Sequence, residues 1–157
     1  MGAFFVYPIQ PVPRTAVLIA GFRPKGPIRV FAEGWTEQTA RFHPQSIAGR
    51  LDQLYALDGA ARPTHALIAV RRPLDLPVTD DDRDRLWRIF GVPLFEQIVD
   101  ANARLLAAEC EAHDGLHLES ASFTAADYEI DGTPCGCGNP SPRLVEKAKV
   151  RTTAASR

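Results

Sequence analysis

Residues 109–118 read Glu-Cys-Glu-Ala-His-Asp-Gly-Leu-His-Leu, and residues 132–139 read Gly-Thr-Pro-Cys-Gly-Cys-Gly-Asn. Together they contain all three cysteines of the chain. Cys110 and His113 are separated by two residues, Cys135 and Cys137 by one, and 21 residues join the two clusters. Two short clusters of soft donors on a connection of this length are the usual layout of a tetrahedral structural zinc site. Thiolates and a neutral imidazole suit that ion. The glycines around Cys135 and Cys137 let the backbone turn tightly enough to present both sulfurs to one cation. The spacing therefore assigns zinc to Cys110, His113, Cys135 and Cys137. His117 is the rival fourth donor, although strand alternation can also turn it toward the core or solvent. A shell closed by four protein ligands leaves no position for substrate, so the metal reads as structural and no catalytic residue is assigned. An odd cysteine count with no secretion signal argues against a disulfide framework.

Working outward, His65–Val70 is a compact apolar run of the kind buried in a parallel sheet. Thr79 precedes Asp80, Asp81 and Asp82, which suit the positive end of a helix dipole, and Gly91 closes that helix. Val92-Pro-Leu-Phe95 begins the next strand, giving a βαβ unit. Leu105–Glu109 and Leu116–Leu118 read as strands on either side of the Cys110–Gly115 loop. Thr15–Ala20 and Ile28–Phe31 read as two further strands able to pair as a hairpin. Ile47, Leu51, Leu54 and Tyr55 fall at i, i+4, i+7 and i+8, which predicts a helix preceded by Pro44 and Ser46 and running through about Leu57. Arg71 and Arg72 read as a solvated strand end. The whole is a small single-domain α/β fold with a mixed sheet over residues 1–144. Residues 145–157 form a polar tail.

The composition supports a single soluble unit. The chain has 157 residues, 45% of them hydrophobic, which is enough for a core. Its 18 basic and 19 acidic residues give no basic excess for a nucleic acid or an anionic membrane. No apolar run is long enough to span a bilayer. The opening residues lack a signal peptide's charged and apolar regions, so the expected location is cytoplasmic.

The Glu109–Leu118 stretch resembles the E-C-x-x-H-D-G-x-H segment of phenylacetate–CoA ligase-like proteins, the adenylate-forming family that includes coenzyme F390 synthetases. Pro134-Cys-Gly-Cys-Gly138, followed by Pro142-Arg-Leu144, is similar to that family's C-x-C-G…P-R-[IL] element. Ala66–Leu74 and Asp82–Phe95 resemble its pocket strand and its helix–strand step. The likeness covers roughly residues 44–144, and it implies zinc at the same Cys and His positions. The chain departs from the pattern where ATP chemistry is done. The family's Y-G-x-[ST]-E reads Ile98-Val-Asp-Ala-Asn102, so the aromatic ring and the metal-binding acid are replaced. The family's G-x-E-P-[LM] reads Val70-Arg-Arg-Pro-Leu74, a base in place of an acid. Asp127 stands as a remnant of the ribose-binding acid, with Ala125 and Ala126 in place of Thr-Gly. The C-terminal lid domain with its lysine has no counterpart. The expectation is a non-catalytic zinc-binding module, a pseudoenzyme whose partner is another protein or a second copy, with no nucleic acid or membrane. The alternative is a protein or enzyme that binds acyl-CoA or nucleotide in a remodelled cleft.

Overall fold

In the computed structural model, residues 2–120, 123–124 and 127–147 are described. Strands β1 (Thr15–Val17) and β2 (Ile28–Val30) are followed by helix α1 (Glu37–Phe42) and strand β3 (Ser46–Gly49). Helix α2 (Leu51–Tyr55), strand β4 (Ala66–Arg71), helix α3 (Asp80–Phe90) and strand β5 (Leu94–Val99) continue the α/β part. Strands β6 (Leu105–Glu109), β7 (Leu116–Leu118), β8 (Tyr128–Asp131) and β9 (Arg143–Glu146) complete it. Among the described residues these make one nine-stranded sheet, ordered β2-β1-β3-β4-β5-β6-β7-β9-β8. The first five strands are parallel and the rest antiparallel. The mixed α/β sheet expected from the sequence is therefore present, and so is the β4–α3–β5 unit. No helix among the described residues is long and apolar enough to cross a membrane.

The parallel half is buried on both faces, as parallel sheets are. Along β4, Ala66, Ile68 and Val70 enter one cluster with Phe5, Phe22 and Phe95. Leu67 and Ala69 enter the opposite cluster, with Leu54 of α2 and Leu86 of α3. The N-terminal segment thus covers one face and the helices cover the other. Helix α3 begins as its sequence dictates. Thr79 Oγ1 accepts the Asp82 N–H at 3.1 Å, the Asp82 carboxylate accepts the Thr79 N–H at 2.9 Å, and Gly91 ends the helix at φ 67°.

Two expectations are corrected. β1 and β2 lie side by side but run parallel, not as a hairpin. β1 is wholly buried between β2 and β3, and such a central strand demands apolar side chains on both faces, which Ala16 and Val17 provide without any hairpin. The helix predicted after Pro44 is a strand followed by a short helix, with Arg50 extended between them (ψ 157°). Ile47 and Leu54 do share one core, with Leu51 packed against it. A strand and a helix facing the same core reproduce the spacing of a single amphipathic helix. Helix α1 was not foreseen. β9 runs on through Val145 and Glu146, and residues 148–157 of the expected tail lie outside the described residues.

Gly115, at the entry to β7, has φ 79°, and a Cβ there would lie 2.6 Å from the Leu144 carbonyl oxygen. Both the backbone conformation and the approach of β9 exclude a side chain. Gly115→Ala is expected to cost more than about 1 kcal/mol in chemical denaturation.

Candidate metal centre and clefts

The antiparallel half carries the cysteines. Cys110 follows the last residue of β6, His117 is the middle residue of β7, and Cys135 and Cys137 lie in the β8–β9 connection. One donor atom from each of these four residues falls within 4.8 Å of the others. Cys110 Sγ is 3.6 Å from Cys135 Sγ, and Cys137 Sγ is 3.3 Å from His117 Nε2. A tetrahedron with Zn–S bonds of about 2.3 Å has S···S edges of about 3.8 Å, so the donor set fits a tetrahedral ion. His117 Nδ1 lies 3.2 Å from the Ser141 carbonyl oxygen and 3.0 Å from Ser141 Oγ. Donation from Nδ1 to that carbonyl leaves the Nε2 lone pair directed at the sulfurs, the usual outer-sphere arrangement of a metal-binding histidine. The loop is shaped by its own bonds. Gly138 N–H donates to the Cys135 carbonyl at 3.1 Å, and Asn139 N–H to Cys137 Sγ at 3.4 Å. Without metal the thiols differ. Burial pushes Cys110 up to about 12. The Cys137 backbone N–H, ahead of the neighbouring thiols and His117, draws Cys135 down to about 7.

The histidine gathered with the three sulfurs is His117, while His113, which the spacing had assigned, lies against Glu109. Strand alternation explains the exchange. Ala108 pairs with His117 across β6 and β7, and Cys110, two residues beyond Ala108, returns to the same face. Glu109 points the other way, and His113 goes with it. His113 Nδ1 is 2.6 Å from Glu109 Oε2, and its ring centroid is 4.7 Å from that of Phe95. Asp114, next to His113 in the chain, pairs with Arg143 at 2.7 Å. His117→Ala is expected to abolish stoichiometric metal binding and His113→Ala to leave it intact, as read by elemental analysis of each purified variant.

Behind the metal centre lies a buried ion network that sequence reading missed. Arg83 of α3 forks onto Glu109 with two bonds of 3.0 Å. Glu96 N–H donates to the same carboxylate at 2.8 Å. The Glu96 carboxylate in turn receives Arg71 Nε at 2.6 Å, and Arg71 Nη2 donates to Tyr128 Oη at 2.9 Å. Arg71, expected to be a solvated strand end, is only 7% exposed. Burial, followed by the Glu96 charge, pushes the Tyr128 hydroxyl up to about 12. Arg83, Glu96, Glu109 and Tyr128 of this network line a 370 Å³ cleft between α3 and the antiparallel strands, with Trp87 and His113 also on its wall.

A second cleft, of 320 Å³, opens at the carboxyl ends of the parallel strands. The strand order reverses at β1, the switch point at which open α/β sheets bind ligands. Val70, Arg71 and Arg72 meet Val99, Asp100 and Ala101 there, so the two remodelled motif segments do come together. Arg50 and Asp75 complete its polar lining. Ile98, at the position of the aromatic ring, is fully buried in β5 and is not part of the lining. Asp100 is held below the usual carboxylate range, chiefly by the Arg104 backbone N–H and also by that of Asn102. Ala125 and Ala126 lie outside the described residues.

No protein-family model and no curated protein matches the chain. Among solved structures, an open conformation of 2-hydroxyisobutyryl-CoA ligase in complex with 2-HIB-AMP and CoA shares the fold, with a TM-score of 0.58 and 13% sequence identity. The match covers 87% of this chain and 44% of that one, so the chain spans less than half of the ligase's length.

Proposed function

We propose that this chain is a zinc-stapled α/β binding module on the scaffold of the adenylate-forming CoA ligases, and that it does not itself activate a carboxylate with ATP. The observation that carries the metal assignment is the convergence of three thiols and one imidazole nitrogen within 4.8 Å. Cys110, His117, Cys135 and Cys137 would hold the ion, which would cross-link the end of β6 and the middle of β7 to the β8–β9 connection. The cleft supports the silent reading. Arg72 stands where the resemblance places the acid of the pocket turn, and its neighbour Arg71 is committed to Glu96. Asn102 stands where the resemblance places the acid that binds Mg²⁺, and an amide offers that cation no charge.

The partner is another protein or a second copy of the chain. Leu74 and Leu76, on the loop between β4 and α3, are 100% and 88% exposed. The loop is braced, because Asp75 N–H donates to the Arg72 carbonyl at 3.0 Å and the Asp75 carboxylate accepts the Arg72 N–H at 2.9 Å. Apolar side chains held out by a fixed turn suit contact with an apolar surface.

One observation favours a second reading. Arg50 and Arg72 line the switch-point cleft, where they suit an anionic ligand such as a nucleotide or CoA. Calorimetric titration with ATP, AMP and CoA separates the two. The expected result is no saturable heat, together with one zinc per chain by elemental analysis. Saturable binding of any of the three would transfer the function to the cleft.

A further inference from the structure

We infer that Cys110 and Cys135 are a site of oxidative modification: a hydroperoxide converts them to a disulfide that takes over the cross-link as the metal leaves. This rests on the reading of the cluster as a zinc site. All three sulfurs lie within 4.8 Å of one another, but Cys137 Sγ is engaged by His117 Nε2 at 3.3 Å, which leaves Cys110 and Cys135 as the pair facing each other. Cys110 and Cys135 are both buried, and their sulfurs are already 3.6 Å apart. An S–S bond of about 2.05 Å needs the sulfurs to close by only about 1.5 Å. Cys135 and Cys137, with a single residue between them, would close a ring inside one loop and join nothing else. Cys110 and Cys135 are 25 positions apart, so their bond ties β6 to the β8–β9 connection, one of the links the metal makes.

The chemistry balances with hydrogen peroxide as oxidant. One thiolate of the pair attacks the peroxide, an S–O bond forms, the O–O bond breaks and water leaves after protonation, giving a sulfenic acid. The second thiolate attacks that sulfur, the S–S bond forms, and the oxygen departs as a second water. Two electrons pass from the thiolates to the peroxide. Zn²⁺ loses two of its four donors and is released. Cys137 remains a thiol, and His117 keeps its bond to Ser141.

The test uses the full chain, loaded with zinc or freed of it under reductant, and treated with hydrogen peroxide. Zinc release is followed with a chromogenic chelator, and the linkage is read by mass spectrometry after cleavage at acidic residues. Glu111, Glu119 and Glu129 lie between the two cysteines, so the bond appears as a joined pair of peptides. The expected result is one zinc released per disulfide formed, with Cys110 joined to Cys135. Cys137→Ser should still form the link, and Cys110→Ser should not. The oxidised chain should unfold at a higher temperature than the reduced, metal-free chain, and dithiothreitol should erase that difference. A Cys110–Cys137 or Cys135–Cys137 link, or oxidation to sulfinic acid with no link, overturns the inference. If the reduced chain takes up no zinc, the zinc reading fails by itself. The link is then sought in the metal-free chain, where its absence overturns the inference separately.

Discussion

Cys135→Ser yields a protein without bound metal that unfolds as easily as the wild type does in excess chelator. Structural zinc contributes an apparent ~10–16 kcal/mol in finger peptides, which sets a ceiling here. The apolar core of the antiparallel half shares the task. It contains Ile98, Ala107, Leu116, Leu118 and Leu144, far less than the two clusters of the parallel half. Loss of a structural metal belongs to the short list of changes that exceed about 4 kcal/mol, and that is the size expected. Thermal unfolding with and without chelator, beside zinc analysis, checks it. Acid acts in the same direction, because protons compete with the metal for thiolates and imidazole, so affinity falls as pH falls. A variant that kept wild-type thermal stability while carrying no zinc would sink the structural role of the ion.

Glu109→Ala is expected to destabilise by about 3–5 kcal/mol, the range for breaking a buried ion pair by removing one partner. Four donors lose their acceptor at once: both Arg83 nitrogens, the Glu96 N–H and His113 Nδ1. The Arg83 charge, half-buried, is then answered by Glu96 at 3.6 Å and by the charge of Asp80. Glu109→Gln keeps the volume and a carbonyl acceptor, and its loss should be clearly smaller. Both variants should still bind metal, since the carboxylate faces away from the sulfurs. Because the pair is buried, added salt should not narrow the gap to wild type in urea unfolding. A loss below about 1 kcal/mol for Glu109→Ala would show that the network is solvated.

What could be read in the chain and what could not divide along physical lines. The β4–α3–β5 unit was legible because Thr79, the aspartates and Gly91 are local signals, and the apolar run before them has no other use. The three thiol positions were legible because clustered cysteines have few alternatives. The fourth donor was half legible. The alternation Leu116-His117-Leu118 already puts His117 on the face opposite two core leucines, and carrying the same alternation back through β6 to Cys110 selects it. Counting intervals from Cys110 favoured His113 instead, because interval counting ignores which way a strand turns its side chains. The pairing of β1 with β2, and the strand hidden in 46–49, were not legible, since a buried central strand and a helix share apolar residues. The Arg71–Glu96–Arg83–Glu109 network joins residues far apart in the chain, and nothing local announces a partner 25 positions away.

Glu109 and Cys110 leave β6 on opposite faces, one carboxylate toward α3 and one thiol toward the metal ligands. That leaves this strand no tolerance for a change in length. One residue inserted or deleted between Leu105 and Cys110 would exchange the two faces and strand both side chains on the wrong side. Descendants of this chain should therefore keep the spacing from Leu105 through Cys110 unchanged, whatever else about β6 drifts.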